Sequence, residues 1–290
     1  MSQTSRPIRL VLTLASVAVL AVAVPLWNKP RHPLRPNIVL FITDDQTPES
    51  MPHDPPVMPY LQDRMEDPKD HWITFVNAFI STPLCCPSRA TILTGRYAHE
   101  TGVVNNGLGN VFDDSQTIAT WLHAAGYYTG LFGKYLNLYP FGRGPFVPPG
   151  WDRWGAKVQP VPGHAYYDTT IVLDWQPVHY ASAPRDYSTD VEAGLAEDFI
   201  RTAPGDRPFF LLFAPPGPHK PWIPAPRDIG SYPQLPPQPP AVNEADVSDK
   251  PAWIRNLPPL SPSQLATLQE ERRLEYETLR SEDDAMRRLV

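Results

Sequence analysis

The chain has 290 residues, of which 42% are hydrophobic and 19% are charged, and its formal net charge is −6. This composition predicts a globular protein with a substantial core, although the 38 prolines indicate long irregular segments. The acidic balance excludes the basic surface on which nucleic-acid binding depends, so we expect no nucleic-acid partner.

The N-terminus carries an export pattern. Arg6 and Arg9 precede an apolar run from Leu10 to Trp27, and Ala21 and Ala23 form a small-residue cleavage pattern. The run is also close to the length that crosses a bilayer. We therefore expect residues 1–27 to be a signal peptide or an uncleaved signal anchor, and the protein to be secreted, periplasmic or membrane-anchored outside the cytoplasm. The sequence contains no Asn-x-Ser/Thr acceptor, which favours a bacterial protein.

The first predicted strand lies near residues 37–43 and contains the unbroken apolar run Ile38–Ile42. Such a run is typical of a strand that is buried on both faces. It is followed by Asp44 and Asp45. Taken alone, an Asp-Asp pair after a strand is as often a turn or a helix cap as part of a functional site.

Both cysteines of the chain are adjacent, within TPLCCPSRATILTGRY at residues 82–97. Two cysteines are too few for a disulfide framework. A short helix is predicted over residues 88–94 and ends at Gly95, so Cys85 lies just ahead of a helix N-terminus, where free N–H groups favour anions. Arg89, one turn further along, can reach back toward position 85. These surroundings suit a nucleophile that meets a negatively charged substrate.

Two further predicted strands also end in polar residues. Residues 127–132 precede Lys134, and residues 208–214 precede His219. A lone lysine after a strand is usually a solvated loop residue, and a histidine among prolines is usually structural. In an open α/β sheet, however, ligands bind at the carboxyl ends of the strands. The two residues, with Asp44 and Asp45, are therefore predicted to meet at one rim of the sheet.

Helical patterns separate these strands, at residues 113–126 and 188–205. The fold class is therefore α/β, with a mostly parallel central sheet flanked by helices. Residues 214–260 are rich in proline and are predicted to be an extended surface segment. The last part, residues 261–290, is predicted to be a long amphipathic helix.

The segment Cys85–Arg89, with ATILTGR after it, resembles the sulfatase signature, Cys-x-Pro-Ser-Arg followed by four variable residues and Thr-Gly-Arg. GKYLN (133–137), DYSTDV (186–191) and PHKPW (218–222) resemble the glucosamine-6-sulfatase-like members of that family. The resemblance extends over residues 36–290. It implies an alkaline phosphatase/sulfatase-like fold, of which this segment would be the N-terminal part of the catalytic domain.

The resemblance also implies a mechanism. A formylglycine-generating enzyme would oxidise Cys85 to formylglycine, an aldehyde whose hydrate attacks the sulfur of a sulfate ester. Arg89 and Lys134 would stabilise that hydrate, and His219 would contact the sulfate or the leaving oxygen. The implied activity is sulfuric ester hydrolysis, with sulfated carbohydrates or aryl sulfates as substrates.

A metal ion is implied on the same grounds. Asp44, Asp45 and the hydrate at position 85 would bind Ca²⁺ through oxygen atoms, the ligands that this ion prefers. The family completes that site with an Asp-Asn or Asp-His pair after a later strand. Here no apolar run precedes Asp283 and Asp284, which are expected to be solvated helix residues. We therefore expect a chain that is truncated at its C-terminus.

The sequence differs from the family pattern at one further position, and two other functions remain as alternatives. Leu136 stands where many sulfatases have a histidine. A phosphodiester or phosphonate hydrolase of the same superfamily remains an alternative, because sulfate and phosphate esters share a tetrahedral anionic shape. The third hypothesis is an inactive truncated chain that binds sulfated ligands weakly or does not fold independently.

Overall fold

A six-stranded sheet organises residues 36–290 of the computed structural model, which describes residues 35–51, 54–158 and 166–290. The strands are β1 (Ile38–Phe41), β2 (Tyr128–Gly133), β3 (Arg153–Lys157), β4 (Thr169–Leu173), β5 (Gln176–Tyr180) and β6 (Phe209–Ala214). Their spatial order is β1-β6-β2-β3-β4-β5. β1, β6, β2 and β3 are parallel to one another, whereas β4 is antiparallel to β3 and β5 is antiparallel to β4. The prediction of a mostly parallel sheet is confirmed.

Helices flank this sheet: α1 (Pro59–Glu66), α2 (Cys85–Thr94), α3 (Ala98–Thr101), α4 (Ile118–Ala124), α5 (Ser188–Thr202), α6 (Ala252–Arg255) and α7 (Pro262–Leu289). Between β6 and α7, where the structure describes every residue, α6 is the only helix, in keeping with the predicted irregular segment. Of the described helices, none is both long and apolar enough to cross a membrane. The predicted signal segment lies outside the described residues.

Side chains of β2 and β6 alternate between two hydrophobic cores, as the period of a strand requires. On one face, Leu131 and Phe210 pack in a core that includes Leu93 of α2. On the opposite face, Phe132 and Leu211 pack in a core with α5 and α7, whose members there are Ala193, Ala196, Phe199, Ala285 and Leu289. The central strands are therefore covered on both sides.

β1 departs from its predicted environment. The apolar run predicts a strand buried on both faces, but every residue of Ile38–Phe41 is only half-buried. β1 is an edge strand, and among the described strands it pairs with β6 alone. Both faces of the strand still pack against a core, Ile38 and Leu40 on one side and Val39 and Phe41 on the other, so contact on both faces is confirmed. The burial is only partial because the composition of a strand does not determine how many neighbours it receives.

The register brings three strand ends to one level. Phe41 of β1 pairs with Phe213 of β6, and Phe213 also pairs with Phe132 of β2. All three strands run in the same direction, so the residues that follow them leave the sheet at the same rim.

Asp283, expected to be solvated, is buried instead, with 4% of its surface exposed. Its two carboxylate oxygens accept hydrogen bonds from the backbone N–H groups of Tyr60 (2.8 Å) and Leu61 (2.9 Å). These N–H groups belong to the first turn of α1, where no intrahelical acceptor is available. Asp283 therefore caps α1 from a helix more than 200 residues away in sequence.

Replacing Asp283 by alanine should lower the free energy of unfolding by about 1–3 kcal/mol, because two buried N–H groups lose their acceptor. Asp284→Ala is the matched control, since Asp284 forms ion pairs at the surface with Arg287 and Arg227, which contribute about 1 kcal/mol or less. Urea unfolding of the two variants measures the difference. Equal destabilisation of both would contradict the capping role.

Candidate active site

The residues that follow β1, β2 and β6 meet at the carboxyl rim of the sheet. Lys134, directly after β2, donates from Nζ to Oδ2 of Asp44 at 2.5 Å. The loop after β6 is tied to both: Ala214 O accepts from Lys134 N at 2.7 Å, and Gly217 O accepts from Asp44 N at 2.9 Å. The strand ends thus hold a lysine and a carboxylate in direct contact.

Gly133 allows this close approach. Its φ is +114°, a conformation that other residues rarely adopt, and a Cβ there would lie 2.2 Å from the carbonyl oxygen of Ala214. A side chain at this position would therefore push β2 and β6 apart just where Lys134 begins.

Cys85 is the first residue of α2, three residues before the predicted start of that helix. Its Sγ lies 3.7 Å from Oδ1 of Asp44. Cys86 points the other way and is fully buried, and its N–H donates to Oδ1 of Asn106 at 2.9 Å. Burial raises the pKa of the Cys86 thiol. Both thiols are free, so the adjacent cysteines have different environments and only Cys85 faces the rim.

Arg89 lies one turn further along α2 and is 6% exposed. Its guanidinium donates to Lys134 O at 2.7 Å, and its second amino group lies 3.7 Å from Oδ2 of Asp44. Burial alone would raise the pKa of Asp44, but the charges of Arg89 and Lys134 outweigh it and hold that pKa below its usual value. Asp44 is therefore ionised and shared between two cations.

His219 completes the group. Its Nδ1 lies 2.5 Å from Lys220 O, which directs Nε2 toward Oδ2 of Asp45 at 3.6 Å. The hydroxyl of Tyr166 donates to His219 O at 2.6 Å and fixes the backbone. A hydrogen bond with Cys85 raises the pKa of His219, with a further contribution from the charge of Asp44, although burial acts in the opposite direction.

Asp45, although adjacent to Asp44, is in a different environment. Its side chain is 62% exposed, and its φ of +63° places it in the left-handed region. Within the described part of the chain, Asp44, Cys85 and His219 are the residues whose ligand atoms lie within 4.8 Å of one another. Asp45, a predicted ligand, lies outside that group.

The donor set fits a divalent cation in type but not in number. The carboxylates of Asp44 and Asp45 are the hard oxygen ligands that Ca²⁺ prefers, but this ion takes six to eight of them. The Asp44 carboxylate is also already engaged by Lys134 and Arg89. The described residues therefore supply one side of a cation site and not a complete shell.

A cavity of about 310 Å³ opens over these residues. Its polar lining residues include Asp44, Asp45, Cys85 and Arg89, and its apolar lining residues include Ile80, Leu84 and Ile92. A small anion that enters the cavity meets the guanidinium of Arg89 and the N–H groups of the first turn of α2.

Two supporting residues are not evident from the sequence. Asn106 holds the backbone of Cys86, and Tyr166 holds the backbone of His219, each from a distant loop. Neither belongs to a pattern that marks it, because the contact depends on tertiary structure alone. Leu136, which stands at the position of a histidine in many sulfatases, is fully buried in the core.

Comparisons with known proteins show which proteins the chain resembles. The family model described as Sulfatase matches residues 36–290. The chain is 34% identical over 272 residues to N-acetylglucosamine-6-sulfatase of Homo sapiens, covering 88% of this chain and 48% of that protein. It is 30% identical over 234 residues to N-acetylglucosamine-6-O-sulfatase of Bacteroides thetaiotaomicron, covering 79% and 38%. The chain thus spans less than half the length of these two relatives.

Solved structures share the fold. One is a protein in complex with its substrate D-glucosamine-2-N,6-O-disulfate, with a TM-score of 0.60, 24% identity, and coverage of 87% of this chain and 53% of that one. Another is the phosphonate monoester hydrolase of Agrobacterium radiobacter, with a TM-score of 0.60, 21% identity, and coverage of 88% and 58%. Both have the architecture seen here, which is that of the alkaline phosphatase-like sulfatases.

Lys134→Met should lower the free energy of unfolding at neutral pH by about 3 kcal/mol, because it leaves the ionised carboxylate of Asp44 buried with a single, longer ion pair. The double variant Lys134→Met/Asp44→Asn should recover part of this loss, since the buried carboxylate is removed and the Arg89 guanidinium keeps its hydrogen bond to the backbone oxygen of residue 134. A double-mutant cycle by urea unfolding measures the coupling. Additive effects of the two substitutions would show that the contact contributes no stability.

Proposed function

The chain belongs to the sulfatase family, and from this premise we propose that it acts as a sulfuric ester hydrolase on sulfated sugars. Cys85, converted to formylglycine, would be the central catalytic residue. The observation that carries this proposal is the contact of Cys85 with a buried Asp44–Lys134–Arg89 group at the start of a helix. The similarity to two glucosamine-6-sulfatases supports a sulfated amino sugar as the substrate class.

Position 85 fits the modified residue. It is half-buried, opens into the cavity of the site and lies at the first turn of α2. Formylglycine would supply there, as its hydrate, the nucleophilic oxygen for sulfuryl transfer. The fully buried Cys86 is not accessible in the same way.

The surrounding side chains have separate roles in this proposal. Arg89 and Lys134 carry the positive charge that binds the sulfate group and stabilises the charge that develops on its oxygens. Asp44 orients both cations by accepting from Lys134 and by its ion pair with Arg89. His219, whose raised pKa favours the protonated ring, holds a proton at Nε2 that can pass to the leaving alcohol.

A divalent cation, for which Ca²⁺ is our proposal, would be held by the carboxylates of Asp44 and Asp45 and by the oxygen at position 85. Bound there, it would draw charge from the sulfate oxygens. The described residues supply only part of the coordination shell that such a cation needs.

The proposal extends to the cellular setting. An extracellular sulfatase homologue of Drosophila melanogaster is 35% identical over 205 residues, which supports export of this chain as well. A formylglycine-generating enzyme would be its partner during synthesis. The phosphonate hydrolase alternative is supported by the shared fold alone, and comparison of an aryl sulfate with a phosphonate monoester as substrates would separate the two.

Co-expression with a formylglycine-generating enzyme should convert Cys85 to the aldehyde, and mass spectrometry of the peptide that contains it should show the corresponding mass loss. Cys86→Ala is the matched control and should leave the conversion intact, whereas Cys85→Ala should abolish both conversion and release of sulfate from an aryl sulfate. Modification of Cys86 in place of Cys85, or turnover by Cys85→Ala, would refute the proposal.

Calcium binding by the 290-residue chain should be weak, with a dissociation constant of about 1 mM or higher, because the described ligands fall short of six oxygens. Isothermal titration calorimetry measures it, and aryl sulfate hydrolysis by this chain should be correspondingly slow. Asp44→Asn serves as the control. Micromolar binding that disappears in Asp44→Asn would show that the site is complete after all.

A further inference from the structure

A second cavity, of about 270 Å³, is lined in part by residues that follow those of the candidate active site along the chain. Thr47 and Trp222 line it. Thr47 is two residues after Asp45, and Trp222 is three residues after His219, so the chain places each within about 7–11 Å of a residue of the site. This proximity along the chain would bring the second cavity within reach of a substrate longer than one sugar ring.

Trp222 offers an aromatic wall. Nζ of Lys220 lies 4.8 Å from the centroid of the indole ring and also donates to Oε1 of Glu271 at 3.1 Å. Lys220 therefore links the indole ring to Glu271, another lining residue of the cavity. An indole that lines a cavity in this way offers a flat apolar surface of the kind against which the C–H face of a pyranose ring packs.

Polar atoms around this ring match hydroxyl groups. Nε2 of Gln238 is buried and has no hydrogen-bond partner among the described residues. Leaving such a donor unpaired costs free energy, which a ligand oxygen would recover. On another wall, Glu275 accepts from Oγ1 of Thr47 at 2.9 Å and retains a second oxygen as an acceptor.

The charges of the cavity disfavour an anion. Glu49, Glu271 and Glu275 line it. The one cationic lining residue is Arg272, whose guanidinium already donates to the hydroxyl of Tyr276 and to two proline carbonyls. Lys220, nearby, is paired with Glu271. Three carboxylates therefore face two cations, which leaves this lining with a net negative charge.

We propose that the Trp222 cavity is a subsite for an uncharged sugar ring adjacent to the sulfated one. This inference rests on the proposed function for the identity of the substrate, and on the lining residues for the preference against acidic sugars. It assigns the protein a substrate that is sulfated at one unit and uncharged at the next.

The neutral probe is N,N′-diacetylchitobiose, titrated into the full chain and followed by saturation-transfer NMR or calorimetry. Trp222→Ala should weaken its binding by about tenfold, and Trp222→Phe, which keeps an aromatic ring, should weaken it by about threefold or less. Trp253→Ala is the matched control, because Trp253 is 70% exposed and does not line the cavity. Equal binding by the Trp222→Ala and Trp253→Ala variants would overturn the proposal.

A second experiment tests the preference against charge by comparing N,N′-diacetylchitobiose with a hyaluronan disaccharide, which is of similar size but carries a carboxylate. The acidic disaccharide should bind at least about fivefold more weakly, and Glu271→Gln should narrow that gap because it frees Lys220. Equal or tighter binding of the acidic sugar, or a gap unchanged in Glu271→Gln, would refute the charge argument.

Both arms are run in the Cys85→Ala background as well, which separates this proposal from the proposed function. If chitobiose still binds in that background but Cys85 of the parent chain is never converted, the subsite is supported and the proposed function is refuted. If Cys85 is converted and sulfate is released but chitobiose shows no saturable binding, the proposed function is supported and the subsite is refuted.

Discussion

The contact of Lys134 with Asp44 is the interaction on which the rest of the site depends. It forms only if β1 and β2 end at the same level on either side of β6, and Arg89 of α2 adds a second, longer ion pair to the same carboxylate. Two buried cations share the buried carboxylate of Asp44, so this buried group carries a net positive charge, and the second carboxylate of the cavity, Asp45, is largely exposed to solvent. An incoming anion can use that charge without any rearrangement, which is the preorganisation that electrostatic stabilisation requires.

The sequence is sufficient to predict this rim because its signals are local. An apolar run that stops at a polar residue identifies the end of a buried strand, and parallel strands end together. The positions of Asp44, Lys134 and His219 follow from these two rules. Cys85 is identified by its signature, although its helix begins three residues earlier than predicted. Helix boundaries depend on small differences in capping, which the residues around Leu84 do not encode strongly.

The remainder of the structure depends on distant partners that no local pattern reveals. Asp283 lies in a polar stretch of α7 and is buried because the unpaired N–H groups of α1 come to it. Ile38–Phe41 has the composition of a central strand and lies at the edge of the sheet. Similarly, Tyr166 and Asn106 support the site from loops whose own sequences are unremarkable in composition. In each case burial is set by which elements meet, and hydrophobic periodicity describes only one element at a time.

The two cavities differ in charge, and that difference would give a bound substrate a direction. Around Asp44 the cations Arg89 and Lys134, with His219, whose pKa is raised, outnumber the carboxylates of Asp44 and Asp45, whereas beside Trp222 three carboxylates face two cations. A sulfate group placed at the wrong end would therefore be repelled by Glu49, Glu271 and Glu275, and an uncharged ring at the Asp44 end would leave Arg89 and Lys134 without an anion. Selection against the reversed orientation needs no additional contact, because unfavourable electrostatics in the wrong pose discriminates as effectively as attraction in the right one.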